Sequence, residues 1–301
     1  MKKLKNSLLL LLAAIIWGAT FVAQSDAMAH IGPFTFNFIR FTIGALVLIP
    51  FIPELWKRKR NAVSSPLPRG RSRIWLTAGC IFCGAALFAA SNLQQFGIAI
   101  GDSVGKAGFI TSLYIILVPI LGIFFKKRAS FLVWLSAGLA LVGMYFLCIK
   151  QGFALQTSDM LYLACAFFFA IHIILISIYA PYISGTALSA IQFAVAALLS
   201  GICMVIFERP NIQAILSAYI PLLYAGVLAC GVAYTLQIIG QRELDPTAAS
   251  LILSLESVVS VIAGMLMLKQ MLTLREMIGC IIMLCATILA QLPKKSAKNL
   301  C

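Results

Sequence analysis

Ten times along the chain a stretch of about twenty residues passes with almost no charge, long enough each time to cross about 30 Å of hydrocarbon. This recurrence constrains the fold more than any motif does. Backbone buried in lipid must satisfy its own hydrogen bonds, and within one segment only a helix does so. The spans fall near 6–26, 34–52, 74–97, 103–125, 131–149, 159–180, 185–207, 214–240, 246–268 and 274–292. Hydrophobic residues make up 62% of the sequence and charged residues 11%, with a mean hydropathy of +1.02. A soluble domain is about half apolar and a quarter charged. The expectation is an all-α integral membrane protein with ten transmembrane helices.

The net charge of +14 could point to nucleic acid. However, the basic residues sit in short stretches between apolar runs, as in loops held against an anionic cytoplasmic leaflet. With the N-terminus inside, seventeen of the 23 lysines and arginines fall on the cytoplasmic side. These are Lys2, Lys3, Lys5, the seven between Lys57 and Arg73, Lys126, Lys127, Arg128, Arg242, Lys294, Lys295 and Lys298. Lys106, Lys150, Arg209, Lys269 and Arg275 fall outside, and Arg40 lies within a span. Both termini are therefore expected in the cytoplasm, in a multi-pass cell-membrane protein that binds no nucleic acid. The first span resembles a signal peptide, but Phe21-Val22-Ala23 places a ring where a cleavage site wants a small residue, so it reads as an uncleaved helix.

Two segments recur. Residues 13–48 align on 165–200 with an offset of 152, matching at Ala14/Ala166, Ser25/Ser177, Phe41/Phe193 and Ala45/Ala197 among others. Residues 84–127 align on 226–269 with an offset of 142, matching at Gly84/Gly226, Gln95/Gln237, Ser112/Ser254 and Leu113/Leu255. The unit contains five spans, an odd number, so two consecutive copies cross the membrane in opposite senses. Residues 1–150 and 151–301 then form two inverted five-helix repeats. Inverted repeats are an architecture of alternating-access transporters, with the site near the midplane between the halves.

The stretches IIWGATFVAQ (15–24), FNFIRFTIGAL (36–46), GKAGFITSLYIILVPILGIFF (105–125), DPTAASLILSLESVVSVIAG (245–264) and LTLREMIGCIIML (272–284) carry a resemblance. In their order and spacing the chain is similar to EamA-type members of the drug/metabolite transporter superfamily, over essentially its whole length. The resemblance implies ten helices in two inverted halves and export of small metabolites. It also implies a central cavity lined by the first four helices of each half, with the fifth and tenth peripheral. A glutamate at the place of Glu256 accompanies the resemblance irrespective of substrate, which favours a structural or gating role. One departure stands out. Many members carry a Gly-Glu pair after the fourth and ninth helices, where this chain has Lys126-Lys127 and Lys269-Gln270.

Charged groups in hydrocarbon cost about 3 kcal/mol on insertion scales and are by default candidates for function. Glu256 lies near mid-depth in LILSLESVVS, and at 100° per residue it shares an arc of about 160° with Ser250, Ser254, Ser257 and Ser260. It could bind a substrate amine, carry a coupling proton or pair structurally. Arg40, on one face with Asn37 and Gly44, could hold a carboxylate, snorkel outward, or pair with Asp26 or Glu256. If both charges face the cavity, they suit a zwitterion. His172 stands mid-helix in a stripe with Tyr162, Cys165, Phe169 and Tyr179; a neutral imidazole hydrogen-bonded in the bundle is the commoner case, a ligand contact or proton relay the alternative. Trp17, Thr20 and Gln24 form a stripe on the first helix, and Asn92 and Gln95 on the third, with Gln237 repeating Gln95. Such amides bind solutes or glue helices together. Tyr114 occupies the position equivalent to Glu256, Pro119 is a candidate hinge, and Asp102 is a candidate cap for the fourth helix.

No nucleotide-binding loop, metal cluster or soluble domain is legible, so an enzyme is not expected, nor a cofactor or metal. The nine cysteines, with Cys80 and Cys83 the one close pair, read as packing residues rather than a disulfide or zinc framework. A scaffold would not need polar stripes at mid-depth on several helices. The leading expectation is a secondary transporter exporting amino acids or related metabolites, with a small solute and the lipid bilayer as partners and proton coupling as an option. Efflux of lipophilic cations is the runner-up, and a non-transporting membrane module follows it. Oligomeric state is not legible.

Overall fold

A computed structural model describes residues 2–52, 67–101, 104–124, 130–148, 156–268 and 273–291. The Asp102 cap and the Lys126-Lys127 and Lys269-Gln270 pairs lie outside these residues. Every regular element described is helical. The first half comprises α1 (Lys2–Met28), α2 (Pro33–Leu48), α3 (Arg73–Ile100), α4 (Val104–Thr111), α5 (Tyr114–Phe124) and α6 (Phe131–Cys148). The second comprises α7 (Thr157–Tyr179), α8 (Gly185–Phe207), α9 (Ile212–Ser217), α10 (Tyr219–Leu223), a π-helical stretch (Tyr224–Tyr234), α11 (Thr235–Gln241), α12 (Pro246–Leu253), α13 (Glu256–Leu268) and α14 (Leu274–Gln291). Among the described residues eight helical segments are long and apolar enough to cross a membrane, and two shorter apolar helices lie at Phe131–Gly143 and Met277–Leu289.

Local chemistry sets the helix starts. Ser184 accepts from the Ala187 N–H at the start of α8, and Asp245 from the Thr247 N–H at the start of α12, where Pro246 occupies a first-turn position that needs no donor. At α2 the cap comes from the other half of the chain. The Glu208 carboxylate accepts from the Phe34 N–H (2.9 Å), the Thr35 N–H (2.8 Å) and the Thr35 hydroxyl (2.6 Å). A negative charge on the free N–H groups of a helix start is favourable.

Helix bounds and packing recur between the two halves at the sequence offsets. Adding 152 to the start of α2 gives the start of α8, and adding 142 to the bounds of α4 gives those of α12. Packing follows the same rule. Helix α3 packs on α7 and α8, while its counterpart, the π-helical segment with its flanking helices, packs on α1 and α2. Gly84 lies so close to Val195 that an added Cβ would stand 2.6 Å from the valine Cβ; Gly226 faces Ile43, 2.7 Å from its Cβ. Val195 and Ile43 are themselves equivalent (43 + 152). Phe41 stacks on its own counterpart Phe193 at 5.8 Å. Helices α6 and α14 pack on each other, away from the centre. An approximate twofold therefore passes between the halves.

The structure departs from the sequence expectation in the interiors of three spans. The fourth and ninth are each interrupted, at Ser112-Leu113 and Ser254-Leu255, which are equivalent positions. The backbone tightens identically at both: Leu113 N–H bonds Ile110 and Ile115 N–H bonds Ser112, as Leu255 bonds Ile252 and Ser257 bonds Ser254. Around the second break Ser250, Ser254, Ser257 and Ser260 each donate a hydroxyl to the carbonyl three residues back, a habit that bends helices. The third departure is the eleven-residue π-helical stretch, whose counterpart at 82–92 lies within the regular helix α3.

Burial is inverted relative to a soluble protein. Large apolar side chains such as Phe82, Leu198, Val205 and Phe207 are exposed, while Asn37, Arg40, His172, Gln192 and Glu256 are buried. That is the arrangement of a bundle whose solvent is lipid. Cys80, Cys83, Cys165, Cys203, Cys230 and Cys285 are free thiols, and Cys80 and Cys83 are fully buried.

Candidate functional site

A cavity opens at the centre of the molecule, walled by α1 (Trp17, Thr20, Phe21, Gln24), α2 (Arg40), α3 (Gln94) and α5 (Tyr114) from the first half. From the second half come α7 (Phe169, Ile173), the π-helical stretch (Ala229, Tyr234), α11 (Gln237), α12 (Leu253) and α13 (Glu256). Water centres fit in about 50 Å³ of it, room for a few waters or the polar part of a small solute.

Glu256 and Tyr114 meet at its floor. Each is the first residue of the half-helix following its break, and the Tyr114 hydroxyl donates to Glu256 Oε1 at 3.0 Å. Two equivalent residues of the repeats thus touch on the pseudo-twofold, as Phe41 and Phe193 do. A tyrosine facing a glutamate makes this contact a donor–acceptor pair, where two glutamates would repel.

Arg40 stands across the cavity, 4% exposed. Its guanidinium carbon lies over the rings of Phe36 (5.1 Å) and Phe41 (4.8 Å), and its Nε has no hydrogen-bond partner. The expected pairing with Asp26 or Glu256 does not form: Asp26 is exposed at the end of α1, and Glu256 turns to Tyr114. Aromatic faces stabilise the cation by quadrupole attraction but offer no counter-charge. An acid and a base therefore share one low-dielectric space without neutralising each other.

The remaining wall is aromatic and amide. The Trp17 indole N–H donates to the Ala229 carbonyl at 3.1 Å, inside the π-helical stretch, and Trp17 meets Tyr234 edge-on at 4.6 Å. Gln24 donates to Gln94 at 3.3 Å, and Gln95 donates to the Gln24 carbonyl at 3.3 Å. Gln237 is buried with its Oε1 unpaired.

Of the residues singled out from the sequence, Glu256, Arg40, Trp17, Gln24, Tyr114 and Gln237 line this cavity. Four others do not. Asn37 donates to Asn92 (2.8 Å), which donates onward to Ser200 (3.2 Å), a chain joining α2, α3 and α8. Gln95 lies behind Gln24, and His172 faces Gln192 on α8 at 2.9 Å. Pro119, the candidate hinge, is buried within α5, six residues beyond Leu113. Among the polar lining residues, Gln94 and Tyr234 are not singled out by the sequence. Tyr234 had a signal available, since 92 + 142 makes it the counterpart of Asn92. Among the described residues no three of His, Cys, Asp or Glu gather as a metal site.

This is a polytopic helical membrane protein built as two fused copies around a central polar cavity, and comparison with known proteins names its class. The model of the EamA-like transporter family matches twice, over residues 4–149 and 156–292. A protein of Archaeoglobus fulgidus described as an uncharacterized transporter is 31% identical over 297 residues, covering 97% of this chain and 87% of that protein. A protein of known crystal structure shares the fold with a TM-score of 0.76, at 18% identity, over 95% of this chain and 96% of that one. The chain belongs to the EamA-like transporter family and is a membrane transporter.

Proposed function

We propose that the protein is a secondary transporter that exports amino acids or closely related zwitterionic metabolites by alternating access through the central cavity. The observation that carries this reading is the coexistence of Arg40 and Glu256 in one buried space without an ion pair between them. A solute bearing both a carboxylate and an ammonium supplies the two missing counter-charges at once. A lipophilic cation would use Glu256 and the rings but would meet the guanidinium unfavourably, so multidrug efflux is the weaker reading. In this account ten helices cross the cell membrane with both termini cytoplasmic, residues 1–150 and 151–301 being the two inverted units. Glu256 is then also the group best placed to carry a coupling proton, exchanging it for the solute ammonium.

The test is flux. Metabolites leaving cells with and without the protein identify the solute, which is then assayed in proteoliposomes. Arg40→Gln and Glu256→Gln are each expected to insert normally and to lower flux of the zwitterion at least tenfold, with Glu256→Gln also flattening its pH dependence. Undiminished flux in both variants would remove the charge pair from the mechanism.

A further inference from the structure

The cavity takes seven residues from each repeat, but mostly from positions that are not equivalent. Three equivalent pairs line it together: Trp17 with Phe169, Phe21 with Ile173, and Tyr114 with Glu256. The remaining lining residues do so from one repeat only. Arg40 lines the cavity while its counterpart Gln192 (40 + 152) is buried against His172, itself the counterpart of the lining residue Thr20. On the other side Gln237 and Leu253 line the cavity, whereas their counterparts Gln95 and Thr111 do not.

Of the eight excluded counterparts, Ile176, Leu236 and Leu87 are apolar, but His172, Gln192, Gln95 and Thr111 are polar where a packed core would be apolar, and each of these four is incompletely paired. His172, Gln192 and Gln95 are fully buried. Facing Gln192 Oε1 at 2.9 Å, His172 Nε2 carries the proton, which leaves Nδ1 an acceptor without a protein partner. Gln192 Nε2 and Gln95 Oε1 are likewise unpaired. Buried polar atoms without partners are rare and call for a specific reason. Pseudo-symmetry supplies one. Alternating access moves one inverted repeat against the other, and by symmetry a conformation in which each half takes the arrangement the other now has opens to the opposite side. Residues now hidden then take the places of their counterparts.

Resting on the transport reading above, we propose that His172, Gln192, Gln95 and Thr111 form a second solute-binding wall, presented to the cavity only in the opposite-facing state. There Gln192 replaces Arg40, while Tyr114 and Glu256, lying on the pseudo-twofold, serve both states. The solute ammonium has an acid in each state, but its carboxylate meets a guanidinium in one and neutral donors in the other. The amide NH2 of Gln192 still offers the carboxylate a hydrogen bond, without the charge. Binding is accordingly tight on one face and looser on the other, a built-in asymmetry between loading and release.

Sided thiol labelling tests this without knowledge of the solute. Arg40→Cys, Leu253→Cys, Gln192→Cys and Thr111→Cys are placed singly in the full chain and reconstituted in one orientation. Each is exposed to a membrane-impermeant methanethiosulfonate added inside or outside, and adducts are counted by intact mass above the parent chain. Arg40→Cys and Leu253→Cys are expected to react from one side, Gln192→Cys and Thr111→Cys from the other. Reaction of all four from the same side overturns the proposal, as does inertness of the second pair while the first reacts. Inertness of Arg40→Cys and Leu253→Cys would instead overturn the cavity as a solute path, and this proposal with it. Thr111→Cys, a near-isosteric change, keeps the test decisive if Gln192→Cys does not fold.

Discussion

Arg40 is a buried cation held against two phenylalanine rings, with its Nε unpartnered and no ion pair to Glu256. Replacing a buried charge by an apolar group of similar length is often stabilising, whereas an arrangement kept for binding persists at the expense of stability. Arg40→Met should therefore raise the unfolding free energy by about 1 kcal/mol or more while abolishing transport of the carboxylate-bearing solute. Thermal unfolding in detergent alongside proteoliposome flux measures both quantities. A variant that is less stable and still inactive would mark Arg40 as structural. Glu256 differs in kind: its bond to Tyr114 ties together the two half-helices, so it combines a structural contact with an accessible charge.

Among the elements, close packing across the repeats depends on two equivalent glycines. An extra Cβ at Gly84 would stand 2.6 Å from Val195, and one at Gly226 2.7 Å from Ile43, with little freedom to shift. Gly84→Ala and Gly226→Ala should each destabilise by about 1–3 kcal/mol, the usual cost of overpacking. Gly138, on the outer face of α6, has nothing within 4 Å of an added Cβ. Gly138→Ala should be neutral or slightly stabilising, because alanine favours the helix by about 1 kcal/mol. Melting temperatures of the three variants give the comparison.

These elements also mark what the sequence can and cannot express. Hydropathy locates eight full-length spans among the described residues, because it records which residues touch lipid. The breaks at Ser112 and Ser254 leave no hydropathy signal, since serine hydroxyls satisfy nearby carbonyls in kinked and straight helices alike. The π-helical stretch is similarly silent. Which amides face the cavity is set by the rotation of each helix about its axis. Nearly uniform apolar helices fix that rotation poorly, so the sequence points to Gln95 where the structure turns its neighbour Gln94 to the cavity. Arg40 does not pair with Asp26 because the helix geometry sends Asp26 outward, and Glu256 is engaged by Tyr114.

For the whole molecule, five helices per unit, an approximate twofold and a cavity on that axis form one claim: the halves run in opposite directions and enclose a path between the two faces. Equivalent loops must then lie on opposite sides of the membrane. His30, between α1 and α2, corresponds to Tyr182 (30 + 152), between α7 and α8. The measurement is labelling of His30→Cys and Tyr182→Cys in intact cells by an impermeant thiol reagent, repeated after permeabilisation. The account predicts that His30→Cys is labelled from outside and Tyr182→Cys only after permeabilisation. Labelling of both from the same face would contradict it.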